Sequence, residues 1–200
     1  MKRPVVAALA VVALVLVAGL GWWSTARWRE EPADALSMGS GDSGNWVWVT
    51  AEAGVPMSWS LSDLVADPDR GPVTVTDVTV DADESMTLLG VGWMDTRSPM
   101  RGMVTTDFPP ESFFEEIKGT REHYHSGLPA GPLPRGEAGW TPVLGLTVDR
   151  AGPSRLRAMH VTYEVDGEEH VQTFELRHTV CAYIGSAKDV DCDPVFDKTP

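Results

Sequence analysis

The chain is poor in cysteine, with two in 200 residues, and neither belongs to a closely spaced pair. A C-x-x-C redox motif and the usual zinc-binding spacings are therefore absent. Positive charge is also scarce. Lys and Arg number 16 against 29 Asp and Glu, for a net charge of −13. Four of the basic side chains, Lys2, Arg3, Arg27 and Arg29, precede the first acidic residue, Glu30. The remainder carries twelve basic against twenty-nine acidic side chains, a net of −17. A segment that acidic repels phosphate, which argues against nucleic acid as a partner. No phosphate-binding glycine loop, zinc-protease motif or convergent carboxylate pair is present. Glu115 and Glu116 are helical neighbours whose side chains point apart.

Charge is missing altogether from Val5 to Trp23, a run of nineteen residues that also lacks proline. As a helix it would rise about 28 Å, close to the roughly 30 Å hydrocarbon thickness of a bilayer. Trp22, Trp23 and Trp28 stand at its downstream end, where indoles favour the headgroup interface. Residues 1–28 are expected to be a single-pass anchor with a cytoplasmic N-terminus, placing the rest of the chain outside the cell membrane. The alternative is a cleaved signal peptide, with Ser24–Ala26 as a small-residue cleavage site; its apolar core would be unusually long.

Residues 29–45 are small and polar and read as a flexible linker, spanning roughly 20–24 Å root-mean-square. The linker contains Gly-Asp-Ser-Gly around Ser43, the tetrapeptide that surrounds the nucleophile of trypsin-like proteases. A serine nucleophile needs a base, a group orienting that base, and rigid oxyanion donors. A flexible spacer supplies none of them, and all five histidines follow Ser43.

From residue 46 to 200 the pattern is that of strands. Pro72–Ala82 is a dense Val/Thr run whose phase changes midway: Val73 and Val75 share one face, Val78 and Val80 the other. A bulge near Thr76–Asp77 would restore a single apolar face. Met86–Met94 alternates Leu89, Val91 and Trp93 inward against Gly90 and Gly92. Thr141–Arg150 alternates Leu144, Leu146 and Val148. Asp166–Gly167 signals a two-residue type I′ hairpin, which sets Tyr163 opposite His170, Val161 opposite Gln172 and Met159 opposite Phe174. Between the strand groups, Pro109 or Pro110, Glu111 and the apolar Phe113, Phe114 and Ile117 predict a short helix stopped by Gly119. Ser126–Gly139 is a Pro/Gly loop. The expected fold is all-β: an antiparallel immunoglobulin-like β-sandwich with one short helix, preceded by the transmembrane helix and linker.

The final hairpin and the strand ending in Cys181 resemble the last hairpin of immunoglobulin-like sandwiches. With the anchor and linker, the layout resembles that of actinobacterial membrane-anchored proteins of uncharacterised role that carry an exported immunoglobulin-like domain. The resemblance rests on strand patterns in Pro72–Met94 and Thr141–Cys181, and it brings no catalytic residues. The antibody-type Cys…Trp…Cys order is absent, since both cysteines follow every tryptophan.

An even cysteine count in an exported chain favours a Cys181–Cys192 disulfide. Asp189, Asp191 and Asp193 have the spacing that opens an EF-hand loop, but Pro194 and Pro200 stand where glycine and a bidentate Glu are needed. Asp81, Asp83 and Glu84 read as a polar turn. Met94, Met100, Met103, His123 and His125 combine thioether and imidazole groups, a set suited to Cu(I). Trp46, Trp48, Trp59 and Trp140 are candidates for an exposed aromatic patch. The leading expectation is a non-enzymatic extracytoplasmic interaction module, without a cofactor, that contacts a cell-envelope protein or membrane complex. The alternatives are an exported copper-type metal-binding protein and a hydrolase whose site is assembled from distant residues.

Overall fold

A computed structural model describes residues 34–39, 47–135 and 139–186. The apolar run Val5–Trp23, and with it Ser43, Trp46, the three aspartates of 189–193 and Cys192, lie outside the described residues. Among the described residues no helix is long and apolar enough to cross a membrane.

Described residues are mostly strand. The strands are β1 (Leu36–Met38), β2 (Val47–Glu52), β3 (Met57–Ser60), β4 (Leu64–Ala66), β5 (Thr74–Ala82), β6 (Met86–Met94), β7 (Val104–Thr105), β8 (Tyr124–Ser126), β9 (Thr141–Val148), β10 (Gly152–Val165) and β11 (Glu168–Tyr183). One short helix, α1 (Glu111–Glu116), lies between β7 and β8. One sheet has the order β2-β11-β10-β5, a second β7-β3-β9-β6-β8, and β1 pairs with β4. Pairing is antiparallel except for β2 on β11, which is parallel.

The two larger sheets share one core. Val75, Val78, Leu156, Met159, Val161, Phe174 and Val180 of the first join Met57, Trp59, Trp93, Leu144, Leu146 and Val148 of the second in a single apolar cluster. Each such side chain contributes about 1.5–3 kcal/mol by leaving water. Trp59 meets the buried His178 ring edge-on at 4.6 Å, across the two sheets.

The phase change in β5 is a bulge. Val75 pairs with Tyr163 and Asp77 with Thr162, so Thr76 is the extra residue. Val73, Val75 and Val78 are all buried as a result. The β10–β11 turn has Asp166 at φ 54° and Gly167 at φ 80°. Its register sets Tyr163 opposite His170, Val161 opposite Gln172 and Met159 opposite Phe174, as the turn chemistry predicts. Helix α1 starts after Pro110 and buries Phe113 and Phe114, and Gly119 follows at φ 83°.

Strand β6 departs from simple alternation. Leu88 pairs with Leu146 and Gly90 with Gly145, which makes Leu89 a second bulge. Leu89, expected inward, is 45% exposed. The extra residue shifts the phase, so that Leu88 before it and Val91 and Trp93 after it face the core.

Strand β9 is buried on both faces. Val143 points away from the shared core into a second apolar cluster with Met94, Met103, Phe113 and Phe114. The excursion between β6 and β8 therefore covers the outer face of its own sheet. Glycines make room for it: a Cβ on Gly145 would run into the Phe108 ring, and one on Gly92 into Tyr124.

The segment expected to be a linker is partly built into the domain. Ala35 and Leu36 are buried, and Leu36–Met38 pairs with Leu64–Ala66. The Ala35 N–H donates to Tyr163 Oη at 3.3 Å. Gln172 holds Leu36 from the other side: its Oε1 accepts from the Leu36 N–H at 3.2 Å, and its Nε2 donates to the Leu36 carbonyl at 2.7 Å. A short apolar stretch inside a polar segment is enough to pair with β4 and to satisfy the buried Gln172 amide.

Candidate functional site

The most concentrated polar chemistry sits where the excursion leaves β6 and returns through β8. Asp95 follows the last residue of β6 and is 3% exposed. Its Oδ1 accepts the Arg97 N–H at 2.8 Å, and its Oδ2 accepts Arg97 Nη2 at 2.7 Å. The Asp95 N–H donates to the His123 carbonyl at 2.9 Å. His123 Nδ1 lies 3.2 Å from Oδ1, and His125 Nε2 lies 3.5 Å from Oδ2. Burial by itself raises the pKa of this carboxyl. Hydrogen bonds from the Arg97 side chain, the Arg97 backbone, His123 and His125 outweigh it and hold the group well below the usual carboxylate range.

The His125 ring stacks on the Trp140 indole, with centroids 5.0 Å apart and planes 13° from parallel. Next to it, Asp63 accepts from Arg101 Nη1 at 2.6 Å and from the Thr141 hydroxyl, and Arg101 also reaches the Gly139 carbonyl at 3.2 Å. These contacts tie the loop after β6 to the start of β9. Chemically, Asp95 is a saturated anion that fastens both ends of the excursion. An aspartate on a histidine is also the arrangement that positions a general base. Among the described residues, however, no Ser or Thr hydroxyl is hydrogen-bonded to His123 or His125. A His–hydroxyl pair elsewhere, His160 Nδ1 with Thr173 Oγ1 at 2.9 Å, is exposed to solvent.

The five residues expected as soft-metal ligands divide into groups. Met94 and Met103 are buried in the apolar cluster with Phe113 and Phe114, Met100 is exposed, and His123 and His125 face Asp95. Among the described residues, no group of three or more His, Cys, Asp or Glu side chains could hold a metal ion. The tryptophans are also dispersed. Trp59 is 3% exposed in the shared core, so the expectation that it joins a surface patch is corrected: its ring fills the space between the sheets beside His178. Trp48 is exposed on β2, and Trp140 is half-buried against His125. Cys181 is fully buried and is not a free thiol.

Sequence reasoning passed over Asp95 and the surface groove beside Leu89. Asp95 offered one weak signal, an acidic residue directly after an apolar strand end. The groove is lined by Asp77, Val78, Leu88, Leu89, Gly90, Val91, Gly127 and Leu128 and has a volume of about 230 Å³. Comparison with known proteins adds no assignment: no protein-family model, curated protein or solved structure matches this chain.

Proposed function

We propose that the chain is a membrane-anchored extracytoplasmic interaction module of the immunoglobulin-like sandwich type, acting by binding rather than by catalysis. Taken in chain order as B to G, β3, β5, β6, β9, β10 and β11 give the sheets B-E-D and C-F-G, the arrangement of constant-type immunoglobulin domains. The uncharged run Val5–Trp23, with Lys2 and Arg3 before it, supports the anchor.

The observation that carries the binding reading is a side of the domain that is open among the described residues. Strand β5 ends its sheet, and β8 covers only Gly92–Met94 of β6. Monomeric domains usually protect such edges, and an exposed edge with apolar side chains is a common means of recruiting a partner.

The test is crosslinking and recovery of the full-length protein from its native membrane. The control is an exported form in which residues 1–29 are replaced by a cleavable signal. One partner recovered reproducibly at near-equal stoichiometry by the anchored form is the expected result. Recovery of no partner, with the protein intact and surface-exposed, would sink the reading.

A further inference from the structure

We infer that the seam between β5 and β6 is the docking site, and that its occupant is an extended protein segment in which apolar side chains alternate with Lys or Arg. This deepens the interaction reading above and rests on it.

The seam is built from two unpaired strand edges. Among the described residues, β5 pairs only with β10, and Met86–Val91 of β6 pairs only with β9. The two edges run side by side, since Asp77 and Val78 of β5 and Leu88–Val91 of β6 line the same groove. Between them lies the groove of about 230 Å³. Val78, Leu88 and Val91 turn toward the core and form its apolar floor. Leu89 and Leu128 stand on its lips, 45% and 42% exposed. The β6 bulge is what places Leu89 there, since regular alternation would have turned it inward. One end is closed by the Gly127 N–H, which donates to the Val91 carbonyl at 2.9 Å with Gly127 at φ 80°.

Charge selects the occupant. Along β5 and the turn into β6 stand Asp77, Asp81, Asp83 and Glu84. Arg157 pairs with Asp81 and Asp83. Among the described residues, Asp77 and Glu84 make no ion pair, and Asp77 lines the groove. A second copy of this chain would bring a matching row of carboxylates to the same edge and be repelled. A strand carrying Lys or Arg would be attracted, and its apolar residues would cover Leu89 and Leu128.

The test uses the full-length chain in detergent and short fluorescein-labelled peptides alternating Val with Lys or Val with Glu, read by fluorescence anisotropy. The Val/Lys peptide is expected to bind, more weakly as salt rises, and the Val/Glu peptide is not. The double variant Leu89→Thr, Leu128→Thr changes only exposed side chains. It should keep its thermal midpoint and weaken the Val/Lys peptide about tenfold or more. Asp77→Lys should weaken the Val/Lys peptide and admit the Val/Glu one. Equal binding of both peptides, no binding of either, or binding unchanged in the double variant overturns the inference. If the double variant still recovers the native partner by crosslinking, the docking site lies elsewhere and the interaction reading stands without it.

Discussion

The side-chain amide of Gln172 pairs with both backbone polar groups of Leu36, donating to the carbonyl at 2.7 Å and accepting from the N–H at 3.2 Å. A single side chain thus supplies the two hydrogen bonds that a neighbouring strand would supply to β1. Gln172 is 9% exposed and Leu36 is 3% exposed, so water cannot easily replace either bond. Replacing Gln172 by Ala leaves two buried backbone groups unpaired. The expected loss is about 1–3 kcal/mol in urea unfolding. Hydrogen exchange should show the Leu36 amide losing protection first, because among the described residues β4 is the one strand that pairs with β1.

Gly145 and Phe108 form a second pair with a measurable dependence. The Phe108 ring lies on the Cα of Gly145, where a Cβ has no room. Gly145→Ala should destabilise by about 1–3 kcal/mol through overpacking. In a Phe108→Ala background the same change should cost much less, because the obstructing ring is gone. A double-mutant cycle by chemical denaturation reads the coupling directly. Additive effects would show that the ring is not what excludes a side chain at Gly145.

Asp95 makes stability depend on pH in a defined direction. Its folded-state pKa lies below the value of about 3.9 expected in an unfolded chain. The folded state therefore binds fewer protons over this range. The stabilisation is fully present above about pH 3.9 and is lost as pH falls through the lower, folded-state pKa. Urea midpoints of the native protein and Asp95→Asn should differ most near neutrality and converge below about pH 4. A gap that stayed constant down to acid would mean that the Asp95 charge is not the stabilising feature.

The expected Cys181–Cys192 bridge predicts no reactive thiol in the native exported protein. Its loop of about a dozen residues should contribute on the order of 3 kcal/mol by the chain-entropy estimate. Two thiols titrating in the native protein would exclude it. The burial of Cys181 means that the titration should be repeated after unfolding without reductant.

Elements whose cause is local could be read from the residues that form them. Asp166–Gly167 specifies its own turn, and the turn then specifies the β10–β11 register out to Met159 and Phe174. The Thr76 bulge was legible because the valines on either side of it change phase. Leu89 gave no such sign. Leu89, Val91 and Trp93 alternate without a break, and only the pairing of Leu88 with Leu146 and Gly90 with Gly145 shows that Leu89 is the inserted residue. Likewise β1 is too short to carry a periodicity, and the side chains that hold Ala35 and Leu36, Tyr163 and Gln172, lie 128 and 136 residues away.

The sequence by itself determined the β character of the domain, its final hairpin, its short helix and the strongly acidic balance of everything after Arg29. Those features depend on side-chain period, turn chemistry and composition, which act over a few residues or over none. The tertiary structure decided which apolar residues remain on the surface and which charges are withdrawn from it. Leu89 is exposed because β9 offers one residue where β6 offers two. Asp95 is buried because the chain returns at His123, 28 residues later, and closes over it. In both cases the deciding partner is distant in the chain, and burial is a property of the pair rather than of either residue alone.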